Sequence, residues 1–384
     1  MSLHTFLREK PLFYDVIDYA RMPKVYARIA PFFKHPKIIH IVGTNGKGTT
    51  GRFLAHMLRS IGLHVGHYTS PHIIHFNERI WIDGSDVSDA MLEEAHTQLL
   101  ALLSDEEALS LSYFEYTTLL AMVILSEICD YVVLEAGLGG EFDATNVFPK
   151  ILSIITPIGY DHQAFLGDTL EAISTTKLNS IATDFVLARQ YETCVHAFAK
   201  AKAEALHVRM LDVEIALKEE DALAIAVYAK HKSYAPYLHD NLRTAVAALT
   251  FLGYDINLEC METMTLKGRY ELFLPNVRLD VGHNPMAALA LREAVGAKKV
   301  ILVYNSYVDK DVALILECLK PIIEVLEIIP IESSRAIEHT SLIGIAKSLG
   351  LESRAFERID SAKEYVVFGS FSVVEAFMKG QRER

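Results

Sequence analysis

From Ile38 onward the chain alternates short apolar runs with stretches of helical periodicity. The run Ile38–Val42 is followed by apolar positions spaced for one helix face from Thr49 to about Ile61, and Tyr131–Leu134 and Leu152–Ile155 are further short runs. Tyr131-Val-Val-Leu-Glu135 and Ile151-Leu-Ser-Ile-Ile-Thr-Pro157 are apolar on both faces, as strands buried between helical layers are. That order predicts a mostly parallel sheet with covering helices. Ser88–Leu103 and Tyr116–Cys129 read as amphipathic or buried helices, and a helix near Asp240–Leu252 closes the first unit. At Gly268 the alternation restarts with strand Val277–Leu279, helix Met286–Val295, strand Val300–Val303, helix Val312–Leu319, strand Tyr365–Phe368 and helix Val373–Met378. The fold class expected is α/β in two domains, residues 1–266 and a smaller Rossmann-like domain of residues 267–384, divided by pattern alone near Glu262–Lys267.

A length of 384 residues suits two or three domains, each with its own core. The 51% apolar and 22% charged content is too apolar for a disordered chain. With 49 acidic and 37 basic side chains the formal charge is −12, which offers no general attraction to phosphate backbones or anionic lipid. Nucleic acid and membrane partners are therefore not expected. Cys129, Cys194, Cys260 and Cys318 form no metal or redox spacing, so reduced thiols and a cytoplasmic setting are expected. Arg8, Glu9 and Lys10 precede any apolar run, and Leu119–Leu134 contains Glu127 and Asp130 and is too short to span a bilayer, so neither an export signal nor a membrane span is expected.

The strongest local signal is Lys37-Ile-Ile-His-Ile-Val-Gly43-Thr44-Asn45-Gly46-Lys47-Gly48-Thr49-Thr50: a strand, a glycine-rich turn with one lysine, and hydroxyls opening a helix. Glycines let backbone N–H groups turn inward, the helix start favours anions, and the lysine supplies a point charge, so the segment is built to cradle phosphate. Its spacing differs from G-x-x-x-x-G-K-[ST], because Gly48 separates Lys47 from Thr49. The first domain is thus expected to be a P-loop-type ATP-binding domain. Mg²⁺ bound with ATP prefers oxygen donors. Glu135 follows an apolar strand and opens Gly137-Leu-Gly139-Gly140, at the sheet edge where ligands of open α/β folds bind. Ser70 in Tyr68-Thr-Ser-Pro-His72 offers a hydroxyl, and Asp161-His162 is a polar pair after another strand. In the second domain Gly268-Arg269 precedes Val277-Arg-Leu-Asp280-Val-Gly-His283-Asn284-Pro285; arginine suits phosphate, and an acid at a strand end suits ribose hydroxyls.

In this order the motifs resemble the folylpolyglutamate synthase and dihydrofolate synthase family, within the Mur-ligase-like amide-forming enzymes. The resemblance runs from about Ile38 to Phe371 and adds Phe76-Asn-Glu-Arg-Ile80, Tyr113-Phe-Glu115, Asp143-Ala-Thr-Asn146, Leu166-Gly167 and Gly369-Ser-Phe371. It implies ATP-driven ligation of L-glutamate to dihydropteroate, or to the γ-carboxyl of a folate, through an acyl phosphate. It assigns Gly46, Lys47, Gly48 and Thr49 to the triphosphate, with Gly43, Thr44 and Asn45 also ATP-binding, Ser70 and Glu135 to one Mg²⁺, and His162 and Lys177 to a second. Lys177 would act as a carbamate made from CO₂, and a monovalent cation is also admitted. Lys47, Glu135, His162 and Lys177 form the implied catalytic set. Arg269, Asp280 and Asn241 would complete ATP binding, His283 and Ser370 would lie near the incoming glutamate, and Phe114, Glu115, Asp143 and Ala144 match pterin-side positions. The implied partners are these small molecules, and the implied state is a monomer.

Three stretches depart from the family pattern. Thr176 replaces the usual glutamate before the lysine and Leu178-Asn179 the usual Ala-Gly after it, Glu141 stands where arginine is usual, and Thr244 occupies the position of the adenine-facing asparagine, with Asn241 three residues early. A Mur-type ligase acting on a UDP-sugar peptide is the competing enzyme, opposed by a phosphate loop that begins at residue 43 with no uridine-binding domain ahead of it. A nucleotide-binding regulator that has lost catalysis is the competing class.

Overall fold

A computed structural model describes residues 1–10 and 18–382. The chain divides into two compact units: the first runs to Ile225 and adds Asp240–Glu262, and the second joins Ala226–His239 to the chain from Thr263 onward. In the first unit lie β1 (Lys37–Val42), β2 (Val65–Tyr68), β3 (Ile80–Ile82), β4 (Ser85–Asp86), β5 (Tyr131–Glu135), β6 (Leu152–Ile155), β7 (Phe185–Leu187) and β8 (Met210–Asp212). They form one sheet in the order β4-β3-β2-β5-β1-β6-β7-β8. Pairing is parallel from β2 through β8, while β3 and β4 add an antiparallel edge. Consecutive strands β1 and β2 are not neighbours, because β5 lies between them. The carboxyl ends of β2, β5, β1 and β6 therefore stand side by side, where ligands of open parallel sheets collect.

The central strands are buried along nearly their whole length, as their unbroken apolar runs predict. One core joins Ile38, Tyr68, Val132 and Leu134 to Tyr116, Leu119 and Leu120 of the helix Tyr113–Ile128, and another joins Val42, Ile155 and Phe185 to Ile173 and Val195. The helix Tyr113–Ile128 starts three residues before the apolar pattern does, because Ser112 and Glu115 form a capping box. Likewise the helix Lys47–Ser60 begins directly after Gly46, which ends the phosphate loop in the left-handed region at φ 85°. No helix among the described residues is long and apolar enough to cross a membrane, and all four cysteines are free.

The second unit carries β9 (Arg269–Leu274), β10 (Val277–Asp280), β11 (Val300–Tyr304), β12 (Ile323–Ile328), β13 (Ser353–Ala355) and β14 (Tyr365–Phe368). Their order is β13-β12-β11-β14-β10-β9, parallel except for the edge pair β10–β9. Asp280 sits opposite Phe368 at the carboxyl ends of neighbouring strands. The turns that follow them meet, with the Gly369 amide donating to the Gly282 carbonyl at 3.1 Å.

Candidate active site

The loop after β1 is held from several sides. Thr44 N–H donates to the Pro157 carbonyl at 2.8 Å, and the Thr44 hydroxyl donates to the Gly159 carbonyl at 3.1 Å. A side chain at Gly43 would put its Cβ 1.9 Å from Thr156 Oγ1, and one at Gly46 would put it 2.4 Å from Asn241 Oδ1. Close packing, together with the left-handed conformation at Gly46, explains glycine at both positions. The ammonium of Lys47 turns back onto the carbonyls of Gly43 and Thr44, 3.2 Å from each. Asn241 is buried, and its Nδ2 has no hydrogen-bond partner among the described residues. A helix start directly behind a glycine-rich turn, one lysine and a buried amide donor fit a nucleotide with its phosphates.

Glu135 closes β5 and is buried. Its Oε2 accepts a short hydrogen bond from the Thr69 hydroxyl and faces the Ser70 amide at 3.4 Å. The structure thus brings Ser70 and Glu135 together, but the hydroxyl on the carboxylate is that of Thr69, which sequence reasoning passes over although it stands one position before Ser70. The glycine after Lys47 keeps clear of this carboxylate: a Cβ at Gly48 would come 3.0 Å from Glu135 Oε2. Among the described residues no cluster of three or more His, Cys, Asp or Glu could hold a metal. The donor set is instead one carboxylate with hydroxyls, which suits a hard cation that shares its remaining positions with water and phosphate.

Lys177, on the helix Leu170–Leu178, is brought to the same loop. It is 3% exposed and donates to the Gly43 carbonyl at 3.0 Å, so the Lys47 and Lys177 side-chain nitrogens share one oxygen. Burial, reinforced by the Lys47 charge and opposed by Asp161 and Asp143, pushes its pKa down to about 7. Much of Lys177 is then the uncharged amine at neutral pH, the form that attacks an electrophile. His162 follows β6 with φ 54°, a left-handed residue in the turn, and its amide donates to Asp161 Oδ1 at 2.9 Å.

The remaining first-unit residues have local duties. Asp143 accepts from the amides of Gly137, Leu138 and Thr145 at 2.9, 2.8 and 2.9 Å and from the Thr145 hydroxyl at 2.5 Å, so its carboxylate shapes the loop after β5. Ala144 is buried beside it. The Phe114 ring lies against Gly137, where a Cβ would come within 2.6 Å of Cζ. Glu115 caps its own helix by accepting from the Ser112 amide at 2.7 Å and pairs with Arg21 at 2.8 Å. Glu141 does not repel its surroundings: Oε2 accepts from Asn179 Nδ2 at 2.8 Å, so two departures from the family pattern meet each other. Thr244 donates to Asp240 O within its own helix, while Asn241 is the residue that reaches the phosphate loop.

In the second unit, Asp280 is buried and accepts from Tyr237 OH at 2.6 Å, the Gly282 amide at 2.8 Å and the Tyr270 amide at 3.2 Å. Burial raises its pKa against these donors. Tyr237 is distant in sequence and belongs to no motif, so no sequence signal marks it. Arg269 lies over the Phe371 ring with its guanidinium carbon 5.0 Å from the centroid. His283 Nδ1 lies 3.1 Å from the Val281 carbonyl. Ser370 Oγ accepts from the Val373 amide at 3.2 Å, which caps the helix Phe371–Arg382.

No family model matches the chain. Comparison with characterised proteins finds a dihydrofolate synthase/folylpolyglutamate synthase of Haemophilus influenzae, 34% identical over 324 residues that cover 75% of this chain and 73% of the relative. The chain belongs to the dihydrofolate synthase/folylpolyglutamate synthase family. Solved structures of that family share its fold. The crystal structure of Helicobacter pylori folylpolyglutamate synthetase, 40% identical, matches with a TM-score of 0.79 and covers 100% of this chain and 98% of that one. The bifunctional enzyme of Yersinia pestis complexed with AMPPNP and a Mn ion, 27% identical, matches with a TM-score of 0.82 over 99% of this chain and 97% of that one.

Proposed function

We propose that this chain uses ATP to join L-glutamate to dihydropteroate, to the γ-carboxyl of a folate, or to both, with a divalent cation. The observation that carries the reading is the meeting, in a member of this family, of the Gly43–Thr49 phosphate loop, the buried Glu135 and the buried Lys177 at one sheet edge. In the reaction the acceptor's carboxylate oxygen takes the γ-phosphoryl group of ATP, releasing ADP and leaving an acyl phosphate. The glutamate amine then attacks the acyl carbon, phosphate departs, and the amine's proton is lost.

Lys47 and the loop amides hold the phosphates and neutralise charge as it moves between oxygens. Asn241 offers its unused N–H₂ to a ring nitrogen of the base. Glu135, Ser70 and Thr69 hold one Mg²⁺, and His162 with Lys177 a second; the ions supply charge neutralisation at the phosphoryl group when bound. An ammonium would repel such an ion. Lys177 serves as a carbamate: its neutral amine, which the lowered pKa favours, bonds to the carbon of CO₂ and releases a proton to solvent, leaving a carboxylate-like oxygen donor. Arg269 and Asp280 are assigned to phosphate and ribose, His283 and Ser370 to glutamate, and Phe114 and Ala144 to the pterin side. A monovalent cation would complete the set of ions.

The test is ADP release by the purified protein with Mg²⁺, L-glutamate and either dihydropteroate or a reduced folate. ADP release dependent on both the pteroate acceptor and glutamate supports the reading, and the two acceptors separate one activity from the other. Turnover with a UDP-muramoyl acceptor alone, or no acceptor-dependent turnover, overturns it.

A further inference from the structure

We propose that Lys150, which belongs to none of the motifs above, is a positioning residue that fixes the glycine-rich loop after β5 and the end of the Lys177 helix to one another. The inference rests on the ligase reading given above. The Lys150 ammonium donates to three acceptors on three pieces of the first unit: Asn146 Oδ1, the Ser180 carbonyl at 3.1 Å and His40 Nδ1 at 3.3 Å.

The first arm is a directed chain. His40 is fully buried on β1, and its Nε2 lies 2.8 Å from Thr145 Oγ1. The Thr145 hydroxyl donates to Asp143 Oδ1 at 2.5 Å, and Asp143 Oδ2 takes the amides of Gly137 and Leu138. An ammonium can only donate, so His40 Nδ1 accepts, and the neutral ring carries its proton on Nε2. Nε2–H then donates to Thr145, whose own proton is free for Asp143. Burial, with the Lys150 charge beside it, keeps the ring neutral. Without the ammonium only the Thr145–Asp143 hydrogen bond still favours this tautomer, and the constraint at Nδ1 is lost. The Nδ1–H form would make Nε2 an acceptor and draw the Thr145 proton away from Asp143, loosening the carboxylate that holds the loop.

The second arm runs to the metal-side helix. Ser180, whose carbonyl accepts from Lys150, donates its hydroxyl to the Lys177 carbonyl at 2.6 Å. The two arms converge on a direct contact: the Glu141 amide donates to the Thr176 carbonyl at 2.9 Å, and a Cβ at Gly140 would come 2.9 Å from the Lys177 carbonyl oxygen. One charge thus governs the loop that follows Glu135 and the helix end that aims Lys177.

The test uses the full chain with Lys150→Met, which keeps the stem and removes the charge, Lys150→Arg, Thr145→Val and the double variant Lys150→Met/Thr145→Val. Lys150→Met and Thr145→Val should each lower kcat at least tenfold with KM for ATP within threefold. Lys150→Arg should retain at least a third of the activity, and the double variant should be no worse than its poorer parent within twofold. ¹⁵N-histidine NMR, with the His40 signal identified by its loss in His40→Gln, should show the Nε2–H tautomer in the native protein and a mixture in Lys150→Met. A kcat within twofold of native in either single variant, multiplicative losses in the double variant, or an unchanged His40 tautomer overturns the proposal. If Lys150→Met does not fold, Thr145→Val and Lys150→Arg decide it by the same criteria. If the native protein turns over no pteroate acceptor, the ligase reading fails, and the tautomer measurement alone decides the chain.

Discussion

Replacing Gly48 by alanine separates stability from chemistry at one atom. Gly48 is the second residue of the helix Lys47–Ser60, where alanine is favoured over glycine by about 0.5–1 kcal/mol. The new Cβ would lie 3.0 Å from both Glu135 Oε2 and Thr69 Oγ1, roughly 0.4 Å short of ordinary contact. Both atoms must then retreat from the hydrogen bond they share, and a bond to a charged group contributes roughly 1.5–3 kcal/mol. Losing about half of that offsets the helical gain, so the net change in stability stays within about 1 kcal/mol, or about 2–4 °C in Tm. A carboxylate displaced by a few tenths of an ångström is costlier to catalysis: a fall in kcat/KM of about tenfold to a hundredfold, ~1.4–2.7 kcal/mol, is expected. Gly344, inside the helix His339–Ser348 with nothing within 4 Å of an added methyl group, is the control whose alanine variant should gain stability and keep native kinetics. Coupled ADP release and differential scanning fluorimetry measure both quantities. Native kcat/KM in Gly48→Ala would refute the placement of Glu135 at the reacting phosphate, as would a loss of activity that tracks only the unfolded fraction.

Other outcomes follow from the same geometry. Lys47→Ala and Glu135→Gln should each lose at least ~3 kcal/mol of transition-state stabilisation, read as kcat/KM, since each removes charge preorganised at the phosphates; near-native values in either would remove that residue from the site. Lys177→Ala should abolish most turnover and regain part of it with added short carboxylates, whereas full activity in CO₂-free buffer would show that this lysine has no part in catalysis. Arg269→Ala should raise KM for ATP with Tm close to native, and the reverse pattern would make the residue structural. Lys10, buried between the Phe6 and Tyr116 rings and donating to the carbonyls of Ala108 and Leu111, has its pKa lowered from 10.5 to about 8, chiefly by burial. The unfolded chain therefore binds the extra proton between these values, and stability relative to Lys10→Met should rise as pH climbs from about 8 to 10.5. A flat difference in denaturant titrations across that range would contradict the assignment.

What is legible without the structure is what depends on neighbours in sequence. The phosphate loop is contiguous, so its glycines, lysine and strand–helix context are all visible at once. The helix Val312–Leu319 and the strand Tyr365–Phe368 are found where their apolar patterns end. Strand β12, Ile323–Ile328, escapes the pattern, because it follows the helix Val312–Leu319 with only the three-residue turn Lys320–Ile322 between them. Glu115 shows how one residue can satisfy two readings: its place in a pterin-side motif is also the third position after Ser112, and the cap and Arg21 take the carboxylate. The contacts of Asp280 with Tyr237 and of Asn179 with Glu141 join residues far apart in the chain, and no local pattern encodes them.

The insertion of β5 between β1 and β2 also constrains how the chain is made. During synthesis Ile38–Val42 and Val65–Tyr68 leave the ribosome well before Tyr131–Glu135, the strand that is partner to both. Until that segment emerges, two strands that are buried in the finished fold have no shared neighbour, and β1 lacks β6 as well. Such a nascent chain exposes the surface that chaperones bind and that aggregation uses. The same late strand ends in Glu135, so the carboxylate and the phosphate loop come into register in a single event. A chain released before that point lacks both the central strand and its carboxylate.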